Sequence, residues 1–372
     1  MNNYRVPQVK NPTHTKFFGV APNGEESVLH VLKNGNGCEL AVSNYGATVT
    51  SLKMINNRNQ KVDVVLGFDS LENYIDSFNL PSSPYFGAAV GRFAGRINQG
   101  QFVLNGQKIN LAKNNGNHHL HGGETGLSRV FWQVKAINYH QNPSITLQYI
   151  SKSTEDFFPG ELAVEVTYTL TENNEFKVSF FAKSTQDTVI NLTHHAYFNL
   201  AGHAKNITNQ KVSVSAQSIL ETTADLIPTG KFISLENHPF DFSTPKDCPI
   251  SIDTTFVLDS TEAACLSCEE TNLKMTVYTN QPAVHIYVGG NCFNQIPGKE
   301  NANYHAKSGI CFETQNFPDA PNHPHFPTAI LKKDAIYTNE TLFKFENLDG
   351  GFLNRQGKDL MAMSNRIPYS SK

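Results

Sequence analysis

The chain has 372 residues, 39% of them hydrophobic and 17% charged, with a formal net charge of −3. That composition supplies one large core and lacks the signature of a disordered chain. The slightly acidic balance excludes partners that need a basic surface, nucleic acid and anionic membrane alike, and no apolar run is long enough to span a bilayer.

In chain order, the residues up to Val20 have no apolar core of the signal-peptide type, which points to a cytoplasmic protein. Ser70 to Ile75 reads as one short capped helix. Phe102 to Leu104, then Asn105-Gly106, then Gln107 to Leu111 reads as a hairpin, because Asn-Gly suits a type I′ turn. Leu162 to Leu170 alternates apolar and polar residues. After the break Thr171 to Glu175 the alternation resumes over Phe176 to Phe180, an antiparallel pair with one buried face. Six scattered cysteines (Cys38, Cys248, Cys265, Cys268, Cys292 and Cys311) are too sparse for a disulfide scaffold. Cys265-Leu266-Ser267-Cys268 reads as a loop with two free thiols. Short strands divided by turn residues predict an all-β sandwich or barrel. No linker divides the chain, so one domain is expected over 1–345, with 1–26 as a lead-in and 346–372 as a polar tail.

Glycine patterns for phosphate binding and a GxSxG nucleophile elbow are absent. Histidines cluster instead. Asn114-Asn115-Gly116-Asn117-His118-His119-Leu120-His121-Gly122-Gly123 is a glycine-flanked loop carrying three of them. In Asn191-Leu192-Thr193-His194-His195-Ala196-Tyr197 the adjacent histidines must face opposite ways on a strand, so one at most enters any cavity. Glu313 ends an apolar run, where a carboxylate is paired, exposed or functional. Arg92 and Arg96 flank the small residues Ala94 and Gly95. These residues permit three chemistries: proton shuttling on a carbohydrate, metal binding through His119, His121 and Glu124, or glycoside hydrolysis with Glu313 and Asp253 as the carboxylate pair.

At these residues the chain resembles the aldose 1-epimerase, or galactose mutarotase, family from about Leu32 to Phe345. The markers run in order: Gly67-Phe68-Asp69, Gly91-Arg92 through Arg96-Ile97, and Leu120-His121-Gly122-Gly123 followed by Trp132. Asn191-Leu192-Thr193 with His195 and Tyr197-Phe198-Asn199-Leu200 comes next, then Leu226-Ile227-Pro228-Thr229-Gly230 and Pro239-Phe240-Asp241. Glu313-Thr314-Gln315, Pro318-Asp319-Ala320 and Phe326-Pro327 complete the set.

The resemblance implies a large antiparallel β-sandwich with a sugar cleft across one sheet. It implies Glu313 as general base, His195 as general acid and His121 as a second active-site histidine. Arg96, Asp253, His285 and Tyr197 are then expected on the substrate, a free monosaccharide such as galactose or glucose, with no metal or redox cofactor. Ring opening needs an ionised Glu313 beside a protonated His195, a pairing that opposite charges favour. Four positions depart from the family pattern: Gly95 for asparagine, His194 for asparagine, Thr254 for histidine and His285 for glutamine. They bear on which sugar is read. The alternatives are an epimerase for hexose 6-phosphates, which needs further cations, and a non-catalytic sugar-binding protein, which needs no acid–base set.

Overall fold

A computed structural model describes residues 14–289 and 295–348. Among them the fold is all-β and its strands pair antiparallel, in one nine-stranded, one six-stranded and one five-stranded sheet with small two-stranded additions. At the middle of the nine-stranded sheet lies the expected hairpin, Leu162–Leu170 against Glu175–Ser184, with Leu162 opposite Ser184 and Leu170 opposite Phe176. Leu162, Val164, Val166, Tyr168 and Leu170 are buried, as are Phe176, Val178, Phe180 and Ala182. Period-two patterning therefore places a whole apolar face in the core, and each large side chain contributes about 1.5–3 kcal/mol by leaving water.

The six-stranded sheet runs Tyr197–Phe198, Ile310–Gln315, Ala283–Val288, Ile252–Leu258, Ala216–Thr222, Pro228–Ser234. Its core side presents Phe256, Val284, Ile286, Ile310 and Phe312. These join Leu40, Leu52 and Met54 of the five-stranded sheet and the inward face of the nine-stranded sheet in one hydrophobic cluster. With one face committed to the core, alternate residues must emerge on the other. That second face carries the site.

Local readings were largely met. The helix is Leu71–Ser77, and Ser70 caps it by accepting the Asn73 N–H at 3.2 Å. The hairpin Gln101–Leu104 with Gln107–Asn110 turns through Asn105 and Gly106, both at positive φ, as a type I′ turn requires. Cys265 and Cys268 call for a correction: they lie on the strand Glu262–Cys268, not in a loop, though both are free thiols. Their spacing of three places them on opposite faces, so they make no half-site for zinc.

The strand Ile336–Asn347 occupies the interior of the nine-stranded sheet, with Glu346 opposite Lys274 and Asn347 opposite Leu273, so regular structure runs two residues past the expected boundary at 345. Within the expected lead-in, Thr15–Val20 pairs with Glu26–Lys33. The rest of the polar tail, 349–372, and residues 1–13 lie outside the described residues. Among those described, no helix is long and apolar enough to cross a membrane.

Candidate active site

Strand register builds the floor of the site. Thr255 pairs with His285 and His285 pairs with Glu313, so one transverse row of the six-stranded sheet holds all three on the face away from the core. One step along the strands, Asp253 pairs with Tyr287. Gln315 lies two residues beyond Glu313. These residues line a cleft of about 280 Å³ together with Arg96, His121, His195, Tyr85 and Arg129, a size at the small end of ligand pockets.

The two histidines at 194 and 195 divide as strand geometry demands. His194 turns into the core between the rings of Tyr168 and Phe176, and His195 turns into the cleft. There Nε2 of His195 stands 3.4 Å from Oε1 of Glu313, with side-chain exposures of 5% and 3%. The other carboxylate oxygen of Glu313, Oε2, is buried without a hydrogen-bond partner. Tyr197 packs its ring 5.3 Å from that of His195 but does not line the cleft; it supports the imidazole from behind.

Of the three histidines in the glycine-flanked loop only His121 reaches the cleft. His119 turns away, its Nδ1 2.7 Å from the Ala112 carbonyl and its ring edge-on to Phe158, and His118 accepts the Gln99 N–H. The loop folds this way because Leu120 pairs with Arg96 and the Asn114 side chain bonds both backbone groups of Leu120. Gly122 is obligatory: at φ +89°, a Cβ there would lie 1.7 Å from the Gly91 carbonyl oxygen.

His121 itself has φ +52° and Tyr85 has φ +53°, a region non-glycine residues seldom occupy. Their rings meet at 5.0 Å, and Tyr85 lies 5.8 Å from His195. The Gly95 N–H donates to Nδ1 of His121 at 3.2 Å. Burial, then the charges of His195, Arg96, His285 and His119, hold the His121 pKa well below the usual imidazole value. His121 is therefore neutral, with its proton on Nε2, a fixed donor.

On the other wall Asp253 is gripped twice. Nε2 of His285 donates to its Oδ1 at 2.8 Å, and Nη2 of Arg96 lies 3.9 Å from Oδ2. Burial opposes ionisation of Asp253, but the hydrogen bond from His285 and the charges of His285, Arg96 and His195 outweigh it and lower its pKa. For His285 burial likewise opposes charge, and the Asp253 bond with the charges of Asp253 and Glu313 wins, raising its pKa. Nδ1 of His285 is 2.8 Å from Thr255 Oγ1, so both ring nitrogens are engaged within the protein. His285 can influence a substrate through Asp253 rather than by direct contact.

Arg92 does not join this group. It is 2% exposed and donates to Ser151 Oγ and to the carbonyls of Ser151, Lys152 and Gly160. The ligand set that the sequence permitted for a metal, His119, His121 and Glu124, is not assembled either, since His119 points elsewhere and Glu124 pairs with Arg129. His121, His195 and Glu313 do place ligand atoms within 4.8 Å of one another, the only route to a cation among the described cleft residues. A neutral His121 that accepts the Gly95 N–H at Nδ1 presents N–H, not a lone pair, at its other nitrogen. That arrangement suits hydrogen bonding better than ligation.

Tyr85, Arg129, Thr255 and Gln315 line the cleft without having been singled out from sequence for a role. Thr255 had a local signal, since it alternates with Asp253 on a strand. Arg129, which stacks over Phe78 at 4.5 Å and bonds Glu124, had none.

Residues 28–344 match the family described as Aldose 1-epimerase. The chain is 36% identical to a bovine protein named galactose mutarotase, over 88% of this chain and 97% of the other. It is 33% identical to an aldose 1-epimerase of Haemophilus influenzae, over 88% and 98%. Among solved structures it is similar to a GalM/aldose epimerase homologue from C. elegans, with a TM-score of 0.80 at 25% identity over 87% of this chain and 99% of that one.

Proposed function

The chain belongs to the aldose 1-epimerase family, and on that footing we propose that Glu313 is the general base and His195 the general acid of its reaction. As a member it is an isomerase that interconverts the α and β anomers of a free aldose. The observation that carries the assignment is the buried His195–Glu313 contact in the lining of the cleft, with Glu313 Oε2 left without a hydrogen-bond partner.

Glu313 removes the proton of the anomeric hydroxyl while His195 protonates the ring oxygen, and the C1–O5 bond breaks to the open-chain aldehyde. Rotation about C1–C2 presents the other carbonyl face. Reversing both transfers closes the opposite anomer and restores each group. A well-placed acid or base contributes roughly 10²–10⁴-fold. His121 supplies a neutral N–H donor beside the reacting atoms, and Arg96 and Asp253 hold ring hydroxyls from the side wall.

Three observations weigh against other readings. Asp253, held ionised by His285 and Arg96, leaves Glu313 as the one carboxyl of the pair to serve as a glycosidase's acid, and Glu313 faces the His195 imidazole instead. The arginines of the cleft are already partnered, Arg96 by Asp253 and Arg129 by Glu124, which favours a neutral sugar over a 6-phosphate. A buried acid–base pair is not needed for binding alone. Galactose is the first substrate to test, given the relatives' names. The free thiols among the described residues support a reducing, cytoplasmic setting, and we take the chain through its last sheet strand as one domain.

Polarimetry tests the assignment. The protein should speed the decay of optical rotation of fresh α-galactose, more than that of the 6-phosphate. Glu313→Gln should remove most of the rate, and full activity in that variant would overturn the base.

A further inference from the structure

Gln315 follows Glu313 by two residues on Ile310–Gln315, so its side chain leaves the same face of the sheet and lines the same cleft. Its neighbour Thr314 faces the opposite way and bonds Thr341. Gln315 is 1% exposed, and its Oε1 is buried without a hydrogen-bond partner. An unpaired buried amide oxygen costs about 1–3 kcal/mol, and such groups are rare unless something meets them.

What adjoins the amide is a residue with no side chain. A Cβ on Gly95 would stand 3.5 Å from Gln315 Nε2 and 2.9 Å from Cγ of Pro318. Gly95 has φ +79°, so its backbone also favours glycine. Position 95 therefore places no side chain against the carboxamide. Two residues along a strand is about 6.6–6.8 Å, comparable with the width of a pyranose and its substituents.

We propose that the Gln315 carboxamide is a substrate contact: with the anomeric oxygen at Glu313, it reads a hydroxyl on the far side of the aldopyranose ring. It accepts at Oε1 and donates from Nε2, so it distinguishes sugars by the presence and orientation of that hydroxyl. This inference rests on Glu313 taking the anomeric end.

The test is Gln315→Met, close in volume and apolar, in the full-length protein. Calorimetric binding and mutarotation rates are measured for galactose and for its 2-, 3-, 4- and 6-deoxy analogues. Q315M should bind galactose roughly 5–30-fold more weakly, as one or two lost hydrogen bonds predict, with thermal stability unchanged or raised. For one deoxy analogue the variant and wild type should bind alike, which identifies the hydroxyl. Should Q315M fail to fold, Gln315→Asn, which withdraws the amide by one methylene, should lose affinity at the same hydroxyl. Equal binding of every sugar, or an equal penalty on all of them, would overturn the contact. Full turnover in E313Q alongside a hydroxyl-specific loss in Q315M would instead overturn the base and leave the Gln315 contact standing.

Discussion

His285 stands between two carboxylates, hydrogen-bonded to Asp253 at 2.8 Å and opposite Glu313 in the register of adjacent strands. With its other nitrogen on Thr255, the ring is a buried positive link that fixes Asp253 and offsets the charge of Glu313. Because the folded pKa of His285 is raised, its contribution to stability is complete below the ordinary imidazole value and is lost as pH rises through the folded value. The wild type should therefore exceed His285→Gln in melting temperature by a margin that shrinks from pH 6 upward. Thermal unfolding across pH checks this, and a margin that grew with pH would contradict a charged His285. KM should rise in H285Q more than kcat falls, since Asp253 loses its orientation rather than the reaction its acid.

Glu313 and His195 act on one pair of proton transfers, so their removal should be far from additive. Glu313→Gln and His195→Asn are each expected to lower kcat by about 10²–10⁴-fold, and the double variant should be little worse than the poorer single. Multiplicative losses would mean that the two groups serve separate steps.

His121 offers a different signature. Held neutral by burial and surrounding positive charge, it accepts the Gly95 N–H at Nδ1 and donates through Nε2. His121→Gln keeps a donor in the region and should cost about tenfold in kcat/KM, in the range of one neutral hydrogen bond to a reacting group. The limbs of its pH–rate profile should coincide with those of the wild type. A displaced alkaline limb, where the proton-donating group titrates, would show that His121, not His195, supplies the proton.

The same physics acts beneath the site. Burial first, and then the charge of His195, push the His194 pKa down to about 3. An imidazole buried neutral makes the fold weaker as pH falls below the ordinary value, by up to about 1.4 kcal/mol per pH unit, because the unfolded chain takes up the proton first. His194→Phe, which keeps the ring between Tyr168 and Phe176, should flatten the acid side of the stability curve. Urea unfolding from pH 4 to 7 reads it out, and parallel curves for the two proteins would refute it.

How far the sequence reached depends on the range of the signal. Alternation from Leu162 to Phe180 carries its own geometry, so the hairpin and its buried face were legible residue by residue. The pair His194-His195 was legible only halfway: alternation required opposite faces, but which ring entered the cleft depended on Tyr168 and Phe176 coming from another sheet. The row Thr255–His285–Glu313 is a property of register between distant strands, which no local pattern encodes. For that reason His285 could be placed near the sugar while its locked nitrogens could not be foreseen. Tyr197 lay in the right motif yet faces the back of His195, and Gln315, one residue past Thr314 in a quoted motif, received no role because its unpaired oxygen appears only on folding.

Arg92 shows the same limit most sharply, since its place beside Arg96 in one marker did not say which of the two arginines reaches the cleft. Burial lowers its pKa to about 10, against the opposing charge of Glu155, so it remains charged at neutral pH. All its donors are spent on the segment from Ser151 to Gly160. That segment includes Asp156, whose carboxylate accepts the N–H groups of Glu124 and Thr125 just after the His121 loop. Arg92 thus braces the wall on which His121 stands, without touching the cleft. Arg92→Met leaves several buried carbonyls unpaired and should lower stability by about 3 kcal/mol or more, measured by urea unfolding. The folded fraction should keep kcat/KM for galactose within about tenfold, the range of one lost positioning contact, and the ratio of rates on free and 6-phosphorylated sugar should not change. A selective loss on the phosphorylated sugar would place Arg92 in substrate recognition after all.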